Sequence, residues 1–427
     1  MIDKIIKELK GLKGVSAYKI LNTKTSSKEL FLIKDKADML RGKDVEDILV
    51  TVYSDNEKNR GSSTVKLKKS MDNDEIAKIL KDAVYAAKFV KNPYYPLAKK
   101  SDKEYENFNS SLKDMNETDA LLRIKDIIYK DYGLDASINS SEIFINKKNK
   151  RIVNSEGVDV SFDQYEGIIE VITESGVGKE PVEIYTLNSF ADIDEEYLEE
   201  LIGRRLFEAA ERGKASPTKK SDKINVILTG EDIRTFFTFY TGQASARAHY
   251  EKTALYKKGD NLFKGSKGDK LNLSLKAFME NSIYSAPFDN DGVYLEDVKL
   301  YKDGKLKNLH GSLRFTHYLD EETTGIIKNV EVQSGETTIE EMKKKPYLEI
   351  LAFSDMFVDE LTGDFGGEIR LARYFDGKDT FTVTGGSFSD NILEVQKKFL
   401  FSKETQLVPS FKGPKAILLK NVKVLGE

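Results

Sequence analysis

Ser216-Pro217-Thr218-Lys219-Lys220 divides the chain into two unlike halves. A proline among small polar residues and lysines neither continues a helix nor joins a central strand, so the stretch reads as a boundary. Before it, helical and strand patterns are mixed. After it, short strand patterns follow one another, separated by Gly/Asp turns. The expected fold class is therefore α+β: an N-terminal α/β domain over residues 1–215, then a C-terminal domain over 222–427 dominated by antiparallel, barrel-like sheet.

Working back from the boundary, a helix over about 193–212 turns Leu198, Leu201, Ile202 and Leu206 inward and closes at Gly213. Upstream lies a meander with strands over 142–146, 151–154, 158–165, 168–173 and 182–186, and a turn at Lys147-Lys148-Asn149-Lys150. Thr118 is placed to cap a helix carrying Leu121, Ile124 and Ile128. Residues 99–116 are so polar that they read as a surface excursion inside the first domain. The spacing of Ile76, Ile79, Leu80, Ala83, Val84, Ala87 and Val90 predicts a helix over 74–90, stopped by Asn92-Pro93. Strands are expected over 29–33, 48–53 and 63–67, the last two joined by the polar stretch 54–61.

Downstream, a strand over 224–228 precedes a helix over about 231–243. Asp303-Gly304 joins strands 298–301 and 306–310 as a two-residue hairpin, and Asp376-Gly377 is expected to do the same for 369–374 and 380–383. With the last strand at 416–424, this half should hold about ten strands.

The 67 basic and 71 acidic residues nearly cancel, which removes the basic field that a nucleic-acid partner would require. Ile2, Ile5, Ile6 and Leu9 mark an amphipathic N-terminal helix rather than a secretory signal, and no apolar run approaches the roughly 18 residues of a membrane span. The expectation is a soluble, cytoplasmic protein with no membrane contact. No cysteine is present, which excludes disulfides, thiolate nucleophiles and cysteine-ligated metals. Only three histidines occur, His249, His310 and His317. The last two fall on opposite faces of a strand, or about 10 Å apart along a helix, so neither geometry joins them on one metal. No metal and no cofactor are expected.

Other motifs weaken on inspection. Asp289-Asn290-Asp291-Gly292 has the look of a calcium loop, but Pro287 and Val298 stand where that loop needs acids, which leaves a turn. Gly265-Ser266-Lys267-Gly268 lacks the spacing of a phosphate loop, and no serine stands in a nucleophile elbow. The glycines of Thr362-Gly363-Asp364-Phe365-Gly366-Gly367 admit either a structural bend or close approach of a ligand.

In order along the chain, five segments carry a resemblance: Val153-Asn154-Ser155-Glu156-Gly157-Val158-Asp159, Phe288 to Val293, Arg314-Phe315-Thr316-His317-Tyr318-Leu319, Thr362 to Arg370, and Val408-Pro409-Ser410-Phe411. Together they resemble the TldD/PmbA family, long called modulators of DNA gyrase. The resemblance implies two branches that partner in a heteromeric metalloprotease. The TldD-type branch bears H-E-x-x-x-H on a helix, with histidine ligands and a glutamate base, plus a cysteine ligand. The PmbA- or TldE-type branch lacks them.

In this chain Thr238, Phe239 and Gln243 stand at the three motif positions, and the cysteine is missing. Threonine and glutamine are poor zinc ligands, and phenylalanine cannot move a proton. The resemblance thus implies a subunit without catalytic or metal residues, partnered with a TldD-type protease and acting on unfolded peptides. Asp289, Asp291, Arg314, His317, Gly363, Gly366 and Gly367 are its candidate peptide or partner contacts. Two alternatives stand beside it: a homodimer that binds peptides without cleaving them, and an autonomous hydrolase using carboxylates such as Asp289, Asp291 or Glu368.

Overall fold

The structure is a computed structural model and describes residues 1–105, 110–176, 182–230 and 233–426. Parts of the expected excursion at 99–116 and of the helix at 231–243 therefore lie outside the described residues.

One seven-stranded antiparallel sheet uses only strands from the first half, in the order β4-β3-β2-β1-β5-β6-β7. These are β1 (Ala17–Ile33), β2 (Lys36–Asn56), β3 (Asn59–Leu67), β4 (Asn92–Pro93), β5 (Ser137–Asn154), β6 (Asp159–Ser175) and β7 (Val182–Phe190). Two pairs of helices cover one face of it. Helices α1 (Ile2–Gly11) and α2 (Asn73–Ala87) pack Ile5, Leu9, Leu80 and Ala87 against Ile20, Val50 and Leu67. Helices α3 (Glu117–Ile128) and α4 (Glu195–Arg212) pack Leu121, Ile124, Leu198 and Ile202 against Ile143, Ile145 and Ile169. Alternate residues of the same strands point the other way. Leu21, Ile152 and Phe162 join the core of the C-terminal half, which among the described residues covers one end of the far face.

The strands are much longer than their hydrophobic patterns suggest. Lys147-Lys148-Asn149-Lys150 is not a turn but the middle of β5, paired on both sides. Its polarity is tolerated because its side chains meet carbonyl groups, Glu166 and a cavity rather than a core. Similarly, 54–61 is not an extended connection: β2 and β3 pair up to Asn56–Asn59, and the turn is Glu57-Lys58, with Glu57 at φ 50°. Asn116, not Thr118, caps α3, its side chain accepting from the Thr118 N–H at 2.9 Å. Helix α2 starts with a capping box between Asp72 and Glu75, as its composition favours.

The second half holds two sheets. The six-stranded one runs β12-β11-β10-β13-β20-β19, with β10 (Leu273–Lys276), β11 (Val298–Lys302), β12 (Lys305–Leu306), β13 (Asn329–Val332), β19 (Thr405–Val408) and β20 (Phe411–Pro414). The other contains β8 (Ser216–Pro217), β9 (Ser221–Thr229), β14 (Tyr347–Val358), β15 (Asp364–Phe375), β16 (Thr380–Thr384), β17 (Ser387–Asn391), β18 (Leu400–Phe401) and β21 (Ala416–Leu425). Within it β9, β14, β15, β17 and β21 pair in a ring, which closes a five-stranded barrel. The sheets are mainly antiparallel, with β9–β14, β8–β16 and β13–β20 parallel.

Asp303 and Gly304 both adopt positive φ, at 51° and 74°, as their hairpin requires. Asp376-Gly377 is not a two-residue turn. The loop runs to Asp379, and the Asp376 carboxylate accepts from the Lys378 and Asp379 N–H groups. Ser216-Pro217 is sewn into the barrel sheet beside β16 rather than left as a free connection.

Short helices fill the space between the sheets: α5 (Ile233–Phe236), α6 (Thr238–Gln243), α7 (Ala246–Tyr250), α8 (Leu313–Tyr318), α9 (Ile339–Met342) and α10 (Ile392–Val395). Among the described residues no helix is long and apolar enough to cross a membrane.

Candidate functional site

Helix α6 is held by aromatic packing. Phe236 and Phe237 precede it, one edge-on to Phe365 and Phe399, the other stacked on Phe411, so rings from both sheets clamp the segment. Phe239 and Tyr240 are both 0% exposed. The Tyr240 hydroxyl donates to Gln396 Oε1 at 3.2 Å, and its carbonyl accepts from the Tyr301 hydroxyl at 2.8 Å.

The polar side chains of α6 serve the backbone. Thr238 Oγ1 donates to the Thr235 carbonyl at 2.8 Å. Gln243 Nε2 donates to the Glu360 carbonyl at 2.7 Å, while its Oε1 accepts from the Leu255 N–H at 2.6 Å. Both ends of this buried amide are thus committed. The loop carrying Glu360 and Gly363 closes over the helix. A Cβ on Gly242 would lie 2.5 Å from Glu360 Oε2, and one on Gly363 would lie 3.2 Å from the Phe239 ring. Burial and the neighbouring Asp359 raise the Glu360 carboxyl above its ordinary range.

The residues at these positions do not fit a metal. They offer one hydroxyl turned to its own helix, one apolar ring and one amide already used. Each nearby histidine has its Nε2 engaged with a backbone carbonyl. His249 Nε2 meets the Gln243 carbonyl, and His310 Nε2 donates to the Thr241 carbonyl at 2.9 Å. Burial lowers the His310 pKa, and its Nδ1 has no partner among the described residues. No group of three or more His, Cys, Asp or Glu side chains placed to hold a metal occurs among the described residues.

The other sequence-selected residues fall in two places. Gly363, Gly366 and Gly367 lie beside α6 or on β15. A Cβ on Gly366 would lie 2.9 Å from the Phe388 carbonyl, and one on Gly367 would lie 2.9 Å from the Phe353 and Phe388 rings. At Gly366 and Gly367 neighbouring aromatic residues occupy the space that a ligand would need. Asp289, Asp291 and Arg314 instead gather at the seam between the first sheet and the C-terminal half. Arg314 donates to Asn92 Oδ1 at 2.7 Å and lies over the Tyr95, Phe315 and Tyr318 rings, tying α8 to β4. His317 is exposed on α8. Asp291 forms an ion pair with Lys19 of β1.

Asp289 is buried, and its carboxylate accepts from the N–H groups of Asp291, Val293 and Ile326 at 2.8, 3.0 and 3.1 Å. Burial and the charge of Asp291 push its carboxyl up to about 6 from an ordinary 3.8, against the pull of those N–H groups. A raised folded-state pKa means that the native chain favours the protonated form. The resulting stabilisation is fully present below 3.8 and is lost as pH rises through about 6. Between those values the thermal midpoint of the native chain, taken relative to Asp289→Asn, should fall as pH rises. Parallel curves for the two proteins would contradict this.

The family model described as the PmbA/TldA metallopeptidase C-terminal domain matches residues 221–426. Residues 221–426 belong to the TldD/PmbA family. An uncharacterized protein of Methanocaldococcus jannaschii is 21% identical over 306 residues, covering 67% of this chain and 70% of that one. TldE from Thermococcus kodakarensis superposes with a TM-score of 0.79 at 16% identity, with 100% of both chains covered. A candidate modulator of a DNA gyrase from Thermotoga maritima gives 0.78 at 16% identity, again with 100% of both covered. Another from Bacteroides thetaiotaomicron gives 0.81 at 16%, over 100% of this chain and 97% of that one. At such identities the superpositions show a shared fold.

Sequence reading missed Glu360, because nothing in its local pattern announces that the loop folds back on α6. It also missed Lys150, hidden inside what looked like a turn.

Proposed function

We propose that this chain is the non-catalytic, TldE-type subunit of a complex with a TldD-type metalloprotease, and that the complex acts on unfolded peptides. The observation that carries the reading is Phe239, fully buried at the position where the family motif would place its general base. A glutamate doing that work must face substrate and water, whereas this side chain faces Tyr240 and the loop at Gly363. Thr238 and Gln243, aligned with the two histidine ligands, use their polar atoms on backbone groups. Both losses point the same way.

The role left to such a subunit is to complete a cavity and hold peptide. Among the described residues β7 ends the order of the first sheet, and a terminal strand of this kind suits peptide capture by main-chain hydrogen bonding. The autonomous-hydrolase alternative gains nothing from the carboxylates it would need. Asp289 holds loop N–H groups, Asp291 pairs with Lys19, and Glu368 lies 3.8 Å from Arg370.

The test is a titration of a TldD-type subunit with this chain, following cleavage of an unfolded peptide. Peptidase activity should rise to a plateau at a fixed ratio of the two chains. A flat response, with no association on size exclusion, would remove the proposal.

A further inference from the structure

A cavity of about 410 Å³ lies at the seam, between the far face of the first sheet and loops of the C-terminal half. Thr23, Lys148, Lys150 and Glu166 line it from the strands, and Tyr284 and Lys328 from the loops. Strand alternation sends Lys148 and Lys150 to the face of β5 that carries Ile152, away from the helices.

Most charges around this cavity are matched. Lys148 pairs with Glu166, whose carboxylate also accepts from Asn146 Nδ2 at 2.9 Å. Lys19 pairs with Asp291, and three backbone N–H groups hold Asp289. Lys328 has its ammonium 4.9 Å from the centre of the Tyr284 ring and no carboxylate partner among the described residues. The Lys150 side chain has neither a hydrogen bond nor an ion pair among them, while its backbone stays in the β5 ladder. Burial, and repulsion from Lys148 and Lys328, push its pKa below the ordinary lysine value, against a smaller opposing pull from Glu166. A half-buried ammonium facing two others opposes folding, and an oxyanion between them would relieve that strain.

We propose that this cavity is an oxyanion site in which Lys150 and Lys328 hold a carboxylate or a phosphate group. Resting on the peptide-handling reading above, the carboxylate would be the C-terminal one of a bound peptide. That would set the end of the peptide at the seam of the subunit.

Calorimetric titration of the full chain alone tests this with three probes: an uncharged-side-chain tetrapeptide acid, its C-terminal amide, and inorganic phosphate. The variants are Lys150→Met, Lys328→Met and, as control, the exposed Lys264→Met. The acid should bind at least tenfold more tightly than the amide, and each cavity variant should weaken it at least tenfold, with the control unchanged. Binding of phosphate alone, lost in the same variants, would support the site and assign its oxyanion to phosphate. Lys150→Met should also raise the thermal midpoint, which shows that it is folded and that the lysine is not a structural necessity. No binding of acid or phosphate, or affinities indifferent to Lys150, would overturn the proposal. Neither result touches the subunit reading, which is read from the partner's peptidase rate.

Discussion

Phe239→Glu is expected to cost the chain at least about 4 kcal/mol and to leave much of it unfolded. Removing a fully buried phenylalanine costs about 3–5 kcal/mol through lost burial and the cavity that remains. The glutamate adds a carboxylate to a site whose nearby amide, Gln243, is already bonded at both ends. The adjacent Glu360 carboxyl is itself held above its usual range by burial, so the site has no spare capacity for a second acid. Gln243→His in the same chain should cost about 1–3 kcal/mol more, because the bonds to Glu360 and Leu255 would be broken. Rebuilding the family motif by combining Thr238→His, Phe239→Glu and Gln243→His is therefore expected to destroy the fold rather than restore a metal centre. Urea denaturation of the single and triple variants reads this directly. A stable triple variant that binds zinc would contradict it.

Gly61→Ala is the second large effect, expected to cost about 3 kcal/mol or more. The added Cβ would lie 1.9 Å from the Ala87 carbonyl oxygen and 2.7 Å from that of Val90. Both are backbone atoms, at the last residue of α2 and in the turn just after it, and Leu80, Ala83 and Ala87 pack the helix into the first core. Neither atom moves without lifting the helix from the sheet. Gly42, on β2, is the matched control, since a Cβ there meets only the flexible Lys28 side chain at 3.3–3.6 Å. Gly42→Ala should stay within about 0.5 kcal/mol of the native chain. Equal denaturation midpoints for the two variants would show that this helix–strand contact is not rigid.

The helices were legible because burial on one side leaves a 3.6-residue pattern, as in α1, α2 and α4. Strand extents were not. The outer parts of β1, β2 and β5 carry polar side chains beyond the end of the face that the C-terminal half covers, so hydrophobic alternation fades while pairing continues. A run such as 147–150 then looks like a turn by composition alone. Turn chemistry succeeded where both φ angles had to be positive, at Asp303-Gly304. It failed at Asp376-Gly377, where the aspartate side chain organises a longer loop.

The positions of α6 could be picked out only through the family resemblance. That Phe239 is buried, and that Glu360 folds onto its helix, depends on contacts over a hundred residues apart. Lys150 and Lys328 line one cavity for the same reason, and no local pattern could bring them together.

In the proposed role this chain takes part in proteolysis without supplying the metal. The most direct measurement is metal content of the two subunits separated from an active mixture of this chain with a TldD-type partner. The prediction is chelator-sensitive peptide cleavage by the mixture, with zinc bound to the partner and none to this chain. One zinc per copy of this chain, or chelator-sensitive cleavage by this chain alone, would contradict it.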